Sequence, residues 1–308
     1  MAWKTVFRVF MYLFVGGLLF GKWVMSPDKT LDELAPKYLN AASKFIAIDG
    51  IKVHYRDEGQ GTPVLLIHGT GASLHTWDAW AEELSKSYRV IRLDLPAYGL
   101  TGADPQKRYL STDYVVLINK LTQALGIERL HLVGNSLGGL VAWLYASTYP
   151  DSVDRLVLID PSGFPFDQTP AVIRLAKLPV FNLLLRYFTP KAFIRKNLRE
   201  VFYNDALITD ALVDRYYDLT CFEGNRQAFI DRAKIEREDY THRLASIQAA
   251  TLILWGENDA WIPVTDATRF KNTIPQSQVH IMPKTGHVPM EERPQESLSI
   301  ALAFLQSD

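Results

Sequence analysis

A chain of 308 residues, 48% of them hydrophobic, can bury a full core, and this excludes a disordered chain. Its 33 basic and 34 acidic side chains leave a formal charge of -1, so no long-range field favours nucleic acid or a strongly charged substrate. Cys221 is the only cysteine, which rules out an internal disulfide and predicts a small apolar packing residue.

The first element is an apolar run, Val9 to Gly21, with thirteen residues and no charge. Extending it through Lys22, which can snorkel, to Met25 gives seventeen, at the lower edge of the ~20 that span a bilayer. Lys22-Trp23-Val24-Met25 offers no small-residue cleavage site, so the expectation for residues 1–26 is a retained single-pass N-terminal membrane anchor. Lys4 and Arg8 before it balance Lys22 and Lys29 after it, which leaves the side of the membrane undecided. A cleaved signal peptide and a buried core helix are the alternatives.

From Lys44 onward short β-rich runs alternate with helical patterns. FIAIDG and IKVHYRDEG predict a hairpin turning at Asp49-Gly50. PVLLIHG, RVIRLDLP, RLHLVGNS, RLVLID, TLILWGEND and QVHIMP predict six more strands, mostly continuous apolar runs of the kind that parallel strands bury on both faces. Amphipathic stretches near Trp77–Ser87, Thr112–Leu125, Leu137–Tyr149, Val264–Ile274 and Gln295–Leu305 predict helices between them. The expected fold is α/β, a mostly parallel eight-stranded sheet with helices on both faces. Residues 163–245 break the alternation with helical spacing, four prolines in their first third and no strand, so they are expected to form a helical cap on a core of 40–162 and 246–308.

Gly134-Asn135-Ser136-Leu137-Gly138 lies where a predicted strand runs into a helix, a G-x-S-x-G motif in the context that gives it meaning. A nucleophile on such a strained turn needs glycine two residues to either side. A serine hydroxyl also needs a base, and the base needs an orienting acid. His287 follows the last strand and a glycine, and Asp259 follows the strand before; Asp160 and Glu257 are the competing acids. His131 and His280 lie inside predicted strands and read as structural. Backbone N–H donors for an oxyanion are expected at Leu137, directly after the nucleophile, and at Thr70 in HGTGAS, whose His68 braces the loop. No histidine or cysteine spacing suits a metal, and neither metal nor cofactor is expected.

HGTGAS, DLPAYGLTG, GNSLGG, WGENDAWIP and GHVPMEERP, in this order, resemble the α/β-hydrolase superfamily, particularly its esterases, lipases and carbon-carbon bond hydrolases. The resemblance covers Lys44 to the end apart from the insertion, and departs from the usual pattern at Ala97, where glycine is common. It implies attack on a carbonyl, because relatives with an aspartate nucleophile are excluded by Ser136. Hydrolases of aromatic ring-fission products often place tryptophan directly after the catalytic histidine, whereas Val288 stands here. The expectation is therefore a serine esterase or lipase acting on acyl-ester or lipid substrates through an acyl-enzyme. Carbon-carbon bond cleavage of the ring-fission type is the alternative, and a non-catalytic small-molecule receptor on the same fold is the alternative of another class.

Overall fold

The computed structural model describes residues 25–165, 170–236 and 238–307. Its eight strands are β1 (Ser43–Ile48), β2 (Ile51–Glu58), β3 (Pro63–Ile67), β4 (Arg89–Leu93), β5 (Leu130–Asn135), β6 (Val153–Ile159), β7 (Ala250–Gly256) and β8 (Ser277–Met282). They form one sheet in the order β1-β2-β4-β3-β5-β6-β7-β8. β1 and β2 pair antiparallel, as do β2 and β4, and every later pairing is parallel. The hairpin turns where the Asp-Gly signal predicted: Ile48 opposes Ile51, and Asp49 (φ 49°) and Gly50 (φ 84°) both take the positive φ of a two-residue primed turn.

Strand side chains alternate between two cores, because successive residues of a pleated strand face opposite ways. Leu65, Ile67, Leu132 and Ile253 join one cluster, while Val64, Leu66, Val133, Leu252 and Leu254 join the other. The first is closed by α3 (Ser111–Ala124), α4 (Leu137–Thr148) and α10 (Thr265–Thr273), which supply Ile118, Val141 and Phe270. The second is closed by α2 (Asp78–Leu84) and α12 (Pro294–Leu305), which supply Trp80 and Leu298. Fully burying one such side chain contributes about 1.5–3 kcal/mol. Cys221 is fully buried and its thiol is pushed up by burial, as expected of a packing residue.

Between β6 and β7 the chain forms α5 (Ala171–Ala176), α6 (Pro179–Tyr187), α7 (Lys191–Val201), α8 (Asp210–Thr220) and α9 (Asn225–Ala233), with no strand among the described residues. Pro179 and Pro190 stand at the starts of α6 and α7, where a missing N–H costs nothing. Two α-helices among the described residues lie outside the predicted set. One, α1 (Leu31–Tyr38), starts at a capping box of Thr30 and Glu33 and packs Leu34 against Leu100, Leu219 and Phe222. The other, α11 (Pro289–Glu292), is a single turn directly after His287.

The membrane expectation is corrected here. Among the described residues no helix is long and apolar enough to cross a membrane. The run that motivated an anchor, Val9 to Gly21, lies outside the described residues. No described helix supports the single-pass assignment, which is withdrawn.

Candidate active site

Ser136 stands between β5 and α4 with φ 54° and ψ -114°, a conformation that an L side chain adopts only under constraint. The constraint is visible in the flanking glycines. A Cβ on Gly134 would fall on the carbonyl of Gly138, and one on Gly138 would fall on the carbonyl oxygens of Ile67 and His68. The turn is pinned from outside by Ser136 N donating to Ile159 O at 3.1 Å and Ser162 N donating to Ser136 O at 3.0 Å.

The structure brings Asp259 and His287 together. The His287 ring and the Asp259 side chain are both buried, at 3% and 0% exposure, with Nδ1 and Oδ2 2.7 Å apart. Against a carboxylate the Nδ1 nitrogen carries the hydrogen, which leaves Nε2 as the acceptor. That Nε2 is buried and has no hydrogen-bond partner among the described residues. The other oxygen of Asp259 accepts the amides of Trp261 at 2.7 Å and Ile262 at 3.0 Å, so the carboxylate is fixed at both ends. Ser136 and His287 line the same cavity without a direct hydrogen bond between their side chains, a looseness common before substrate arrives.

Neither competing acid touches the imidazole in this way. Glu257 is exposed and its amide is spent on Met282 O at 2.9 Å. Asp160 is fully buried beyond β6, accepts Gly256 N at 2.9 Å, and sits close enough that it, Asp259 and His287 offer ligand-type atoms within 4.8 Å of one another. Burial first, and then the neighbouring Asp259 charge, push its carboxyl well above the ordinary range. Nδ1 of His287 and Oδ2 of Asp259 hold each other, whereas Asp160 bonds to the Gly256 amide and to neither of them.

The expected oxyanion donors, Thr70 and Leu137, have amides that take no hydrogen-bond acceptor among the described residues. Gly69 carries the loop against Ser136: a Cβ there would lie 3.0 Å from the serine Cβ. His68 braces this loop, its Nδ1 2.7 Å from Gly69 O and its Nε2 accepting Leu95 N at 3.0 Å, while burial lowers its pKa.

Several residues here carried no recognisable signal. Asn135, read only as the spacer of the motif, donates through Nδ2 to Ile159 O at 3.1 Å and to His287 O at 3.0 Å, tying the histidine loop to the serine turn. Trp261 packs its indole 5.4 Å from the His287 ring. From α9 comes Arg226, 6% exposed, whose Nη2 reaches Asp28 at 2.6 Å while Nε and Nη1 have no partner among the described residues. Its neighbour Asn225 is spent through Nδ2 on Gly99 O and Leu219 O, which leaves Oδ1 unpartnered. These groups line a cavity whose walls are otherwise mostly apolar, including Leu185, Phe193, Leu198 and Phe229. A second cavity also reaches Ser136, past Thr70 and Trp261, with Lys177, Arg232 and Glu236 in its wall.

Comparison with known proteins follows the same lines. A model of the alpha/beta hydrolase fold matches residues 62–294. A 2-hydroxy-6-oxo-6-phenylhexa-2,4-dienoate hydrolase of Burkholderia cepacia is 28% identical over 281 residues, covering 86% of this chain and 97% of that one. A solved meta-cleavage product hydrolase from Pseudomonas fluorescens IP01 superposes with TM-score 0.73 at 29% identity, over 85% of this chain and 97% of that one. A solved membrane phospholipase A, described as a novel bacterial virulence factor, superposes with TM-score 0.72 at 27% identity, over 99% of this chain and 98% of that one. The expectation of an esterase or lipase is corrected by the curated sequence relatives, which include hydrolases of 2-hydroxy-6-oxo-dienoates and of 2-hydroxymuconate semialdehyde. Val288 follows His287 in the chain, and an aromatic ring against the imidazole comes instead from Trp261 in the loop after β7.

Proposed function

The chain belongs to the alpha/beta hydrolase fold family, and from that premise we propose that it hydrolyses a carbon-carbon bond in a 2-hydroxy-6-oxo-dienoate, the product class of aromatic ring fission. The observation that carries this reading is Arg226. Its buried guanidinium is paired with Asp28 through Nη2 only, so Nε and Nη1, without a partner among the described residues, are free to take a second anion in an otherwise apolar cavity that also holds Ser136. A substrate with a carboxylate at one end and a ketone at the other supplies that anion. The apolar walls take the remainder of the molecule.

Each group then has a task. Ser136 Oγ attacks the C6 carbonyl while His287 Nε2 takes its proton, with Asp259 holding the ring and stabilising the imidazolium. The amides of Thr70 and Leu137 receive the charge on the C6 oxygen. A carbon leaving group departs only if its electron pair is delocalised. Transfer of the enol proton from O2 to C5 provides for this: when C5–C6 breaks, the pair runs through C4 and C3 to O2. Arg226 at the carboxylate holds that end of the conjugated system in place. The imidazolium returns its proton to the dienolate, and water activated by the same histidine releases the acid from Ser136.

Loss of the conjugated chromophore of 2-hydroxy-6-oxo-6-phenylhexa-2,4-dienoate measures this directly, with p-nitrophenyl esters and a phospholipid assayed in parallel. Dienoate cleavage should fall by roughly 10,000-fold or more in Ser136→Ala and by about the same order in Asp259→Asn. Arg226→Gln should raise KM for the dienoate and leave neutral esters little changed. Ester or phospholipid turnover without dienoate cleavage overturns the proposal.

A further inference from the structure

The loop that carries His287 is bound to the cap as well as to the end of the sheet. His287 N donates to Val201 O, the last residue of α7, at 2.8 Å. One residue earlier, Gly286 N donates to Glu292 Oε2 at 2.7 Å. The same carboxylate reaches the cap, accepting Tyr203 N on Oε2 at 3.1 Å and Asn204 N on Oε1 at 2.8 Å. Glu292 is 6% exposed, so these three bonds work in a site screened from water. Gly286 must be glycine for this approach, since a Cβ there would lie 2.8 Å from Tyr203 N.

Its neighbour Glu291 grips a second cap helix. Glu291 accepts Arg215 Nη2 and Tyr216 OH of α8, each at 2.5 Å, and Thr76 Oγ1 of the core. The single turn α11 therefore holds the cap at two places, and it begins two residues after the imidazole. A carboxylate that accepts three amides from two segments fixes their spacing, because ionised acceptors make the stronger and shorter bonds.

We propose that Glu292 is a positioning residue, which joins the cap segment after α7 to the Gly286–His287 loop so that the seating of the cap and the placement of the imidazole change together. The proposal rests on the pairing of Ser136 with His287 and not on the substrate. Its test therefore uses a probe indifferent to the bond cleaved.

The probe is an organophosphonate that labels an activated serine, applied to the full chain as wild type, Glu292→Gln and Glu292→Ala, well below their melting temperatures. Amide hydrogen exchange is read on the same samples at 201–209 and 284–288. Labelling should slow by about 10- to 100-fold in Glu292→Ala. Glu292→Gln should fall between, because its oxygen still accepts but carries no charge. The Tyr203, Asn204 and Gly286 amides should exchange faster in the same order. Wild-type labelling in the folded variants, a lowered melting temperature as the sole change, or slow labelling with unaltered exchange at 203–204 each overturns the proposal. Should Glu292→Ala fail to fold, the same two readings on Glu292→Gln decide. A wild-type chain that takes no label overturns the assignment of Ser136 together with this one.

Discussion

Asp160 and Asp259 share one buried corner but differ in what they touch, and the difference is open to measurement. Asp259 is satisfied on both oxygens, whereas Asp160 has a partner for Oδ1 and none for Oδ2 among the described residues. Asp160 also holds a positive φ of 43° at the end of β6, unusual for a residue with a side chain. Because burial raises its carboxyl far above 3.8, the folded chain keeps a proton that the unfolded chain releases. Stability from this group is complete below the unfolded value and declines as pH rises above it. Asp160→Asn keeps a neutral side chain at every pH, so relative to wild type it should gain up to about 1.4 kcal/mol per pH unit above that value. Urea unfolding from pH 4 to pH 7 tests this; a difference between the two proteins that stays flat with pH refutes it.

At the scale of elements, the turn from β5 into α4 is set by contact rather than by helix propensity. The start of α4 lies directly on the end of β3, where Gly138 leaves no room for a methyl group beside Ile67 O and His68 O. Gly138→Ala should therefore cost about 1–3 kcal/mol as an overpacking change, even though alanine is the better helix former. A denaturation midpoint equal to wild type would show that the two elements can separate at no cost. Pattern predicted the eight strands and five of the helices because each is long and periodic enough to carry its signal. α11 has only four residues, less than a helical period can register, and α1 shows only its capping box.

Across the whole molecule, opposing carboxyls shape the response to acid. Burial alone would raise Asp94, but His54, His68 and the Leu74 amide outweigh it and hold the carboxyl at about 2. Asp104 is lowered by Arg108 and Asp218 by Lys29, Tyr38 and Lys37, each against the cost of burial. For these groups the folded value lies below the unfolded one, so their stabilisation is present above about 3.8 and is lost as pH falls. Below about pH 3.8, where the Asp160 contribution is already complete, the urea midpoint should drop toward pH 2, and Asp94→Asn should lose less over that window than wild type; an equal loss in both would remove Asp94 from the account. Function divides along a similar line. Residue order alone determined the sheet, the strained serine turn and the placing of Ser136, Asp259 and His287 past strand ends, because period, turn chemistry and glycine spacing are local properties of the chain. Only the tertiary structure decided which carboxylate meets the imidazole, which tryptophan lies against it and which arginine keeps two nitrogens without a partner among the described residues, because the loop after β7 and helices α5 to α9 bring together residues far apart in sequence.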